Sequence, residues 1–138
     1  MLPPSLKNLI DHLSRLPGLG QRSATRLAFY LLGRPPQELL ALSQAIKDAS
    51  SQIKICGRCF NFSSGPLCSV CQDTKRRQDL ICVVEDVLDV LSFEKLRQYR
   101  GVYHVLGGLI SPVEGLLPAK LRIRELENRI KNLAAKET

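Results

Sequence analysis

Residues 54–79 cannot build a hydrophobic core, and this constrains the chain more than any other feature. They hold four cysteines, two glycines, a proline and several serines, with little apolar periodicity. The cysteines form two CxxC pairs, Cys56/Cys59 in "CGRC" and Cys68/Cys71 in "CSVC", with eight residues between them. Each pair reads as a tight turn pointing both sulfurs inward. The connecting "FNFSSGPL" is short enough to bring the two turns together. Four soft thiolates suit a closed tetrahedral Zn2+ site, in which the metal replaces the missing core and no coordination position stays open for hydrolysis. One structural zinc per chain is therefore expected on Cys56, Cys59, Cys68 and Cys71. A disulfide framework and a redox dithiol are the alternatives. The first suits a secreted chain, and the second needs only one pair. Cys82 lies in the apolar run "LICVV" and reads as a buried small hydrophobe.

The chain has 138 residues, 44% hydrophobic and 24% charged, enough for one domain or two small ones of ordinary globular composition. No apolar run approaches the length of a membrane span. The N-terminal "MLPPSLKNLI" lacks the charged start, apolar core and cleavage site of a signal peptide, so a cytoplasmic location is expected. The net charge of +7 is uneven. Seven basic and three acidic side chains fall in residues 1–54, four and two in 55–80, and nine and eight in 81–138. The N-terminal part is thus the better polyanion surface.

Periodicity predicts three helices before the cysteines. Leu6, Leu9, Ile10, Leu13 and Leu16 mark the first, with Ser5 as N-cap. Ala24, Leu27, Ala28, Leu31 and Leu32 mark the second, and Leu39, Leu42, Ile46, Ala49 and Ile53 the third. The three are expected to share one core that includes Leu16, Leu27, Leu31 and Leu32. After the cysteines, 80–84 reads as a strand buried on both faces, 86–99 as a helix and 102–106 as a second strand, together a right-handed βαβ unit. A Gly/Pro-rich loop at 107–118 precedes a charged last helix over roughly 119–135, with Leu121, Leu126, Ile130 and Leu133 on one side. Two parallel strands make a poor sheet alone, so the rest of a larger α/β domain is expected beyond this chain.

The first two helices are joined by "LPGLG", residues 16–20. Gly18 and Gly20 permit tight or positive-φ backbone and let a phosphate approach the N–H groups. The second helix begins near Gln21 and presents its free N–H groups and positive dipole end at the same place. Arg22 and Arg26, four residues apart, share a helix face and can grip neighbouring phosphates. Such contacts hold a DNA backbone without reading its sequence. A plain αα-hairpin with two solvated arginines is the alternative. "TKRRQ", 74–78, is a second basic cluster, a backbone contact or a solvated linker.

The order of these features resembles the bacterial RecR recombination mediator family. "LPGLGQRSATRLAFYLL" is similar to its helix–hairpin–helix, "ICGRCFNFSSGPLCSVC" to its finger and "ICVVED…YHVLGGLISPVEG" to the start of its Toprim domain. The resemblance implies an α+β chain of three segments: a helix–hairpin–helix bundle over 1–54, a four-cysteine zinc finger over 55–78 and a partial Toprim domain over 79–138. It implies a non-enzymatic DNA repair and recombination protein that acts with RecO and RecF to load recombinase on single-stranded DNA. It further implies single- and double-stranded DNA as ligands, a homodimer or homotetramer, and no membrane. The DNA-binding positions fall on Gly18, Gly20, Gln21, Arg22 and Arg26. Arg22 stands where a lysine is more usual, which keeps the charge but changes its geometry. The Toprim glutamate falls on Glu85. The later Toprim strands of the family are expected to be missing.

Glu85, Asp86 and Asp89 gather where a strand ends and a helix begins. Catalytic Toprim proteins need a further Asp-x-Asp pair to hold Mg2+, and no Asp-x-Asp occurs in this sequence. The cluster is therefore read as helix-start carboxylates or a partner-binding corner. His12 and His104 read as structural. Two rival functions remain at this level: a Toprim-type phosphoryl-transfer enzyme fragment and a zinc-ribbon module that binds only protein.

Overall fold

The structure is a computed structural model that describes residues 1–108, 113, 115 and 120–137, the side chains of 135–137 excepted. It divides into two compact units, Met1–Ser50 and Ser51–Thr138.

In the first unit, α1 (Pro4–Ser14) and α2 (Gln21–Leu32) pack against one another, and α3 (Pro36–Gln52) follows. Ser5 does not cap α1. The helix starts two residues earlier than a Ser5 cap would set it, because Pro4 fits the first helical position with its ring-fixed φ and no N–H to satisfy. Ile10 is buried against Ala24 and Ala28, with Leu6, Leu9 and Leu13 half-buried around it. The two alanines place no bulk between the helices and let Ile10 seat. This core is smaller than expected. Leu16, Leu27 and Leu32 are exposed, Leu31 is half-buried, and no residue of α3 is buried. Leu40 is 69% and Ile46 64% exposed. Helical spacing shows which side chains share a face, not what covers it.

The second unit opens with a short antiparallel ribbon, β1 (Lys54–Ile55) against β2 (Phe62–Ser63), and the single turn α4 (Ser69–Gln72). Then come β3 (Ile81–Val84), α5 (Val87–Leu96), β4 (Val102–Val105) and α6 (Ile123–Glu137). β3 and β4 pair in parallel, with Ile81 opposite Val102 and Val84 opposite Val105. The predicted strand–helix–strand is thus present. β4 is buried throughout, but β3 is not buried on both faces, and Val83 is 45% exposed. Among the described residues only one side of this short strand is covered. Cys82 is accordingly half-buried rather than interior, though it packs on the core. Most of the predicted loop at 107–118 lies outside the described residues.

The four cysteines of the two CxxC turns, Val70, Val84, Val90, Val102, Tyr103 and Val105 form one cluster, so the finger and the α/β segment share a core. The outer edge of β4 shows how. Val105 N–H donates to the Cys59 carbonyl at 2.8 Å, and Arg129 Nη1 donates to the Tyr103 carbonyl at 2.6 Å. These two bonds satisfy an edge that would otherwise invite another strand. At the start of β4, Gly101 is required by packing: a Cβ there would collide with the Leu80 carbonyl and the Tyr99 ring.

Candidate nucleic-acid interface and metal centre

The hairpin follows from three local facts. Gly18 has φ +81°, a conformation that L side chains rarely adopt. Leu19 N–H returns to the Leu16 carbonyl at 3.1 Å and closes the turn. Gly20 then stands at the N-cap of α2 in extended backbone, and no side chain caps the helix. A Cβ at Gly18 or Gly20 would meet nothing within 4 Å, so the hairpin is open to the outside. The first N–H groups of α2 face that opening, with Gln21, Arg22 and Arg26 exposed beside it. The five hairpin residues named from sequence, Gly18, Gly20, Gln21, Arg22 and Arg26, are all exposed on the turn and the first two turns of α2. Neither arginine has an acidic partner among the described ion pairs, so both charges remain available.

In the second unit, Cys56, Cys59, Cys68 and Cys71 are buried, and their sulfurs all lie within 4.8 Å of one another. A tetrahedron with Zn–S bonds of about 2.3 Å has S···S edges of roughly 3.8 Å, which this set brackets. The Cys59 and Cys68 sulfurs are 3.5 Å apart. Backbone N–H groups already serve the sulfurs, Cys68 N–H donating to Cys56 Sγ at 3.3 Å and Cys71 N–H to Cys68 Sγ at 3.5 Å. These bonds favour thiolates. The hydrogen bond from Cys59 holds Cys68 far below the ordinary thiol range, and that same bond pushes Cys59 far above it. Such a set ionises fully only around a cation, so donor chemistry and geometry both fit a closed metal site. When bound, zinc would supply a structural cross-link between the two turns. The first turn ends in a left-handed residue, Phe60, with φ 66°. Its ring is held by the Arg122 guanidinium, 4.6 Å from the centroid, and by the edge of His104 at 5.5 Å.

Several other sequence-named groups make contacts within the fold. Arg76, in the basic cluster, is neither a solvated linker nor a free cation. It makes a bidentate pair with Glu94 at 2.6 and 3.0 Å and also donates to the Gly101 carbonyl at 3.1 Å. Tyr103 Oη completes the network by donating to Glu94 at 2.6 Å. Arg77 is paired with Asp79. Asp86 and Asp89 form a capping box on α5: Asp86 Oδ1 accepts from Leu88 and Asp89 N–H, and Asp89 Oδ2 accepts from Asp86 N–H. Glu85 is exposed beside them.

His12 is exposed on α1, whereas His104 is fully buried. Arg129 donates to its Nδ1 at 3.2 Å, which assigns the proton to Nε2 and a donated bond to the Arg122 carbonyl at 2.8 Å. Burial lowers the His104 pKa. At Glu94, burial opposes ionisation, but the bonds from Arg76 and Tyr103 outweigh it, and the pKa is lowered. A group with a depressed folded pKa contributes stability that is present above its unfolded value and lost as pH falls. Stability should therefore decline below about pH 6.5 as His104 is forced to charge, and again below about pH 4.3 as Glu94 is neutralised. Comparing thermal midpoints across pH with those of His104→Gln checks the upper step, which the variant should lack.

Three family models match the chain in the order of its structural parts. The RecR helix-hairpin-helix model covers residues 6–50, the RecR zinc finger model, of the four-cysteine type, covers 53–73, and a Toprim domain model covers 79–136. "Recombination protein RecR" of Desulfosudis oleivorans is 44% identical over 135 residues, covering 98% of this chain and 68% of the relative. The chain belongs to the RecR family. The RecR of Rippkaea orientalis is 44% identical over 137 residues, 99% of this chain and 70% of its own length. That of Gloeobacter violaceus is 50% identical over 125 residues, 91% of this chain and 64% of its own. The chain thus spans about two thirds of the length of the curated RecR relatives it matches. Its fold is the expected one, a helix–hairpin–helix followed by a four-cysteine finger and a Toprim segment, and its cysteine cluster suits zinc. No helix among the described residues is long and apolar enough to cross a membrane.

Two features of this chain were not read from sequence. Arg76 gave no sign of being internal, because its partner Glu94 is 18 residues away. Arg129 on α6 reads as one more charge on a charged helix, yet it closes the β4 edge.

Proposed function

We infer that this chain is a non-enzymatic DNA-binding mediator of recombinational repair. It grips the sugar–phosphate backbone without sequence choice and acts with RecO and RecF to load recombinase onto single-stranded DNA. The observation that carries this reading is the hairpin of a RecR-family chain: an uncapped helix start, open glycines and two arginines without acidic partners. DNA contacts are assigned to Gly18, Gly20, Gln21, Arg22 and Arg26. One zinc per chain sits on Cys56, Cys59, Cys68 and Cys71 and has no catalytic part. The corner formed by Glu85, Asp86 and Asp89 is assigned to a protein partner. The exposed apolar side chains of α3, Leu40, Leu42 and Ile46, support assembly into a homodimer or homotetramer.

The test is affinity for a DNA strand as a function of salt. Binding should weaken steeply, with log affinity falling by about 0.7 per phosphate contact on single strands and about 0.9 on duplex. Replacing Arg22 and Arg26 together by alanine should cost at least about tenfold at low salt and flatten the single-strand slope by roughly 1.4. An unchanged slope and affinity would reject the hairpin as the DNA site.

A further inference from the structure

Beside the hairpin, α2 carries a depression of about 380 Å³ lined by Leu19, Ser23, Arg26, Leu27 and Tyr30. Helical geometry turns about 100° per residue. Ser23, Arg26 and Tyr30 therefore fall on the side of α2 opposite Ala24 and Ala28, the residues that face α1. Tyr30 is 62% exposed, yet its ring has a neighbour. The Arg34 guanidinium lies 5.9 Å from its centroid, within cation–π range. Arg34 is itself fixed by a bidentate pair with Glu38, at 2.8 and 2.9 Å. An ion pair this exposed contributes little to folding stability. Its visible effect is to present one aromatic face, one turn along the helix from Arg26.

We propose that this depression takes one unpaired nucleotide of a DNA strand that the hairpin holds. The phosphate lies against Arg26 and the Ser23 hydroxyl, and the base stacks on Tyr30 beside Leu27. The chemistry is that of sequence-tolerant single-strand sites, a cation for the backbone and an aromatic face for any base. A paired base is buried in its own stack and cannot use the ring, so the depression favours single strands over duplex. This rests on the hairpin reading above and adds a strand preference to it.

The test uses the full chain with three probes: oligothymidylate, an abasic strand of the same length and charge, and duplex of random sequence. Wild type should bind oligothymidylate about tenfold more tightly than the abasic strand. Tyr30→Ala should abolish that difference while leaving abasic and duplex affinity unchanged, and Tyr30→Phe should restore it. Sedimentation of the same variants should show unchanged self-association. The inference is overturned if Tyr30→Ala keeps the preference, weakens all three probes equally, or alters only self-association. Failure of the hairpin reading is distinguishable, because it would show as Arg22/Arg26 variants that bind all three probes as wild type does.

Discussion

Chelating the metal, or replacing Cys59 by serine, is expected to unfold residues 53–73 outright. Apart from cysteine, the only apolar side chain that this stretch buries is Val70, at 8% exposure. Phe60 and Leu67 are only half-buried. The β1–β2 ribbon pairs two residues with two, too few for independent stability. Structural zinc contributes about 10–16 kcal/mol of apparent binding free energy in finger peptides, comparable to the whole stability of an ordinary domain. Amide exchange at Cys56, Cys59, Cys68 and Cys71 reads the effect directly: protection with metal, none without it. The loss should spread to Val105, whose N–H ends on the Cys59 carbonyl. Metal analysis of reduced protein should find one zinc per chain. Full protection in metal-free protein would show that the shared core suffices.

Arg76→Met is expected to cost about 3 kcal/mol, the penalty for leaving a part-buried carboxylate unpaired. The Arg76 and Glu94 side chains are 17% and 29% exposed, so solvent screens the remaining charge only in part. Glu94 would lose both guanidinium bonds, and the Gly101 carbonyl would lose its donor. Pairing Arg76→Met with Glu94→Leu should cost less than the sum of the single changes, since no charge is then left alone. Tyr103 keeps the double variant from being neutral, because its hydroxyl loses its acceptor. Urea unfolding of the four proteins measures this coupling. Additive losses would mean that the pair is incidental to the join between finger and strand.

Local chemistry made much of this chain legible. CxxC spacing, the Pro-Gly-x-Gly turn and β-branched runs act over a few residues, and they marked the metal set, the hairpin and the order of strand, helix and strand. Long-range partnership did not show. Leu16, Leu27 and Leu32 have core spacing but no cover in their unit, whereas Arg76 and Arg129 have surface chemistry and internal roles. The acidic corner was legible as helix-start carboxylates because a capping box is written in nearby residues, Asp86 and Asp89. Tyr30 was not marked by the periodicity of the second helix, and its 62% exposure with the Arg34 guanidinium 5.9 Å from its ring shows only in the structure.

The central claim is that DNA is held at the hairpin, and amide mapping addresses it most directly. A DNA strand titrated into labelled protein at low salt should shift the backbone amides of Gly18 to Ser23 first and most, with smaller changes along α2 to Tyr30. Those shifts should fade as salt rises, as expected of phosphate contacts. Saturable binding that moves amides elsewhere and leaves Gly18 to Ser23 unchanged would contradict it.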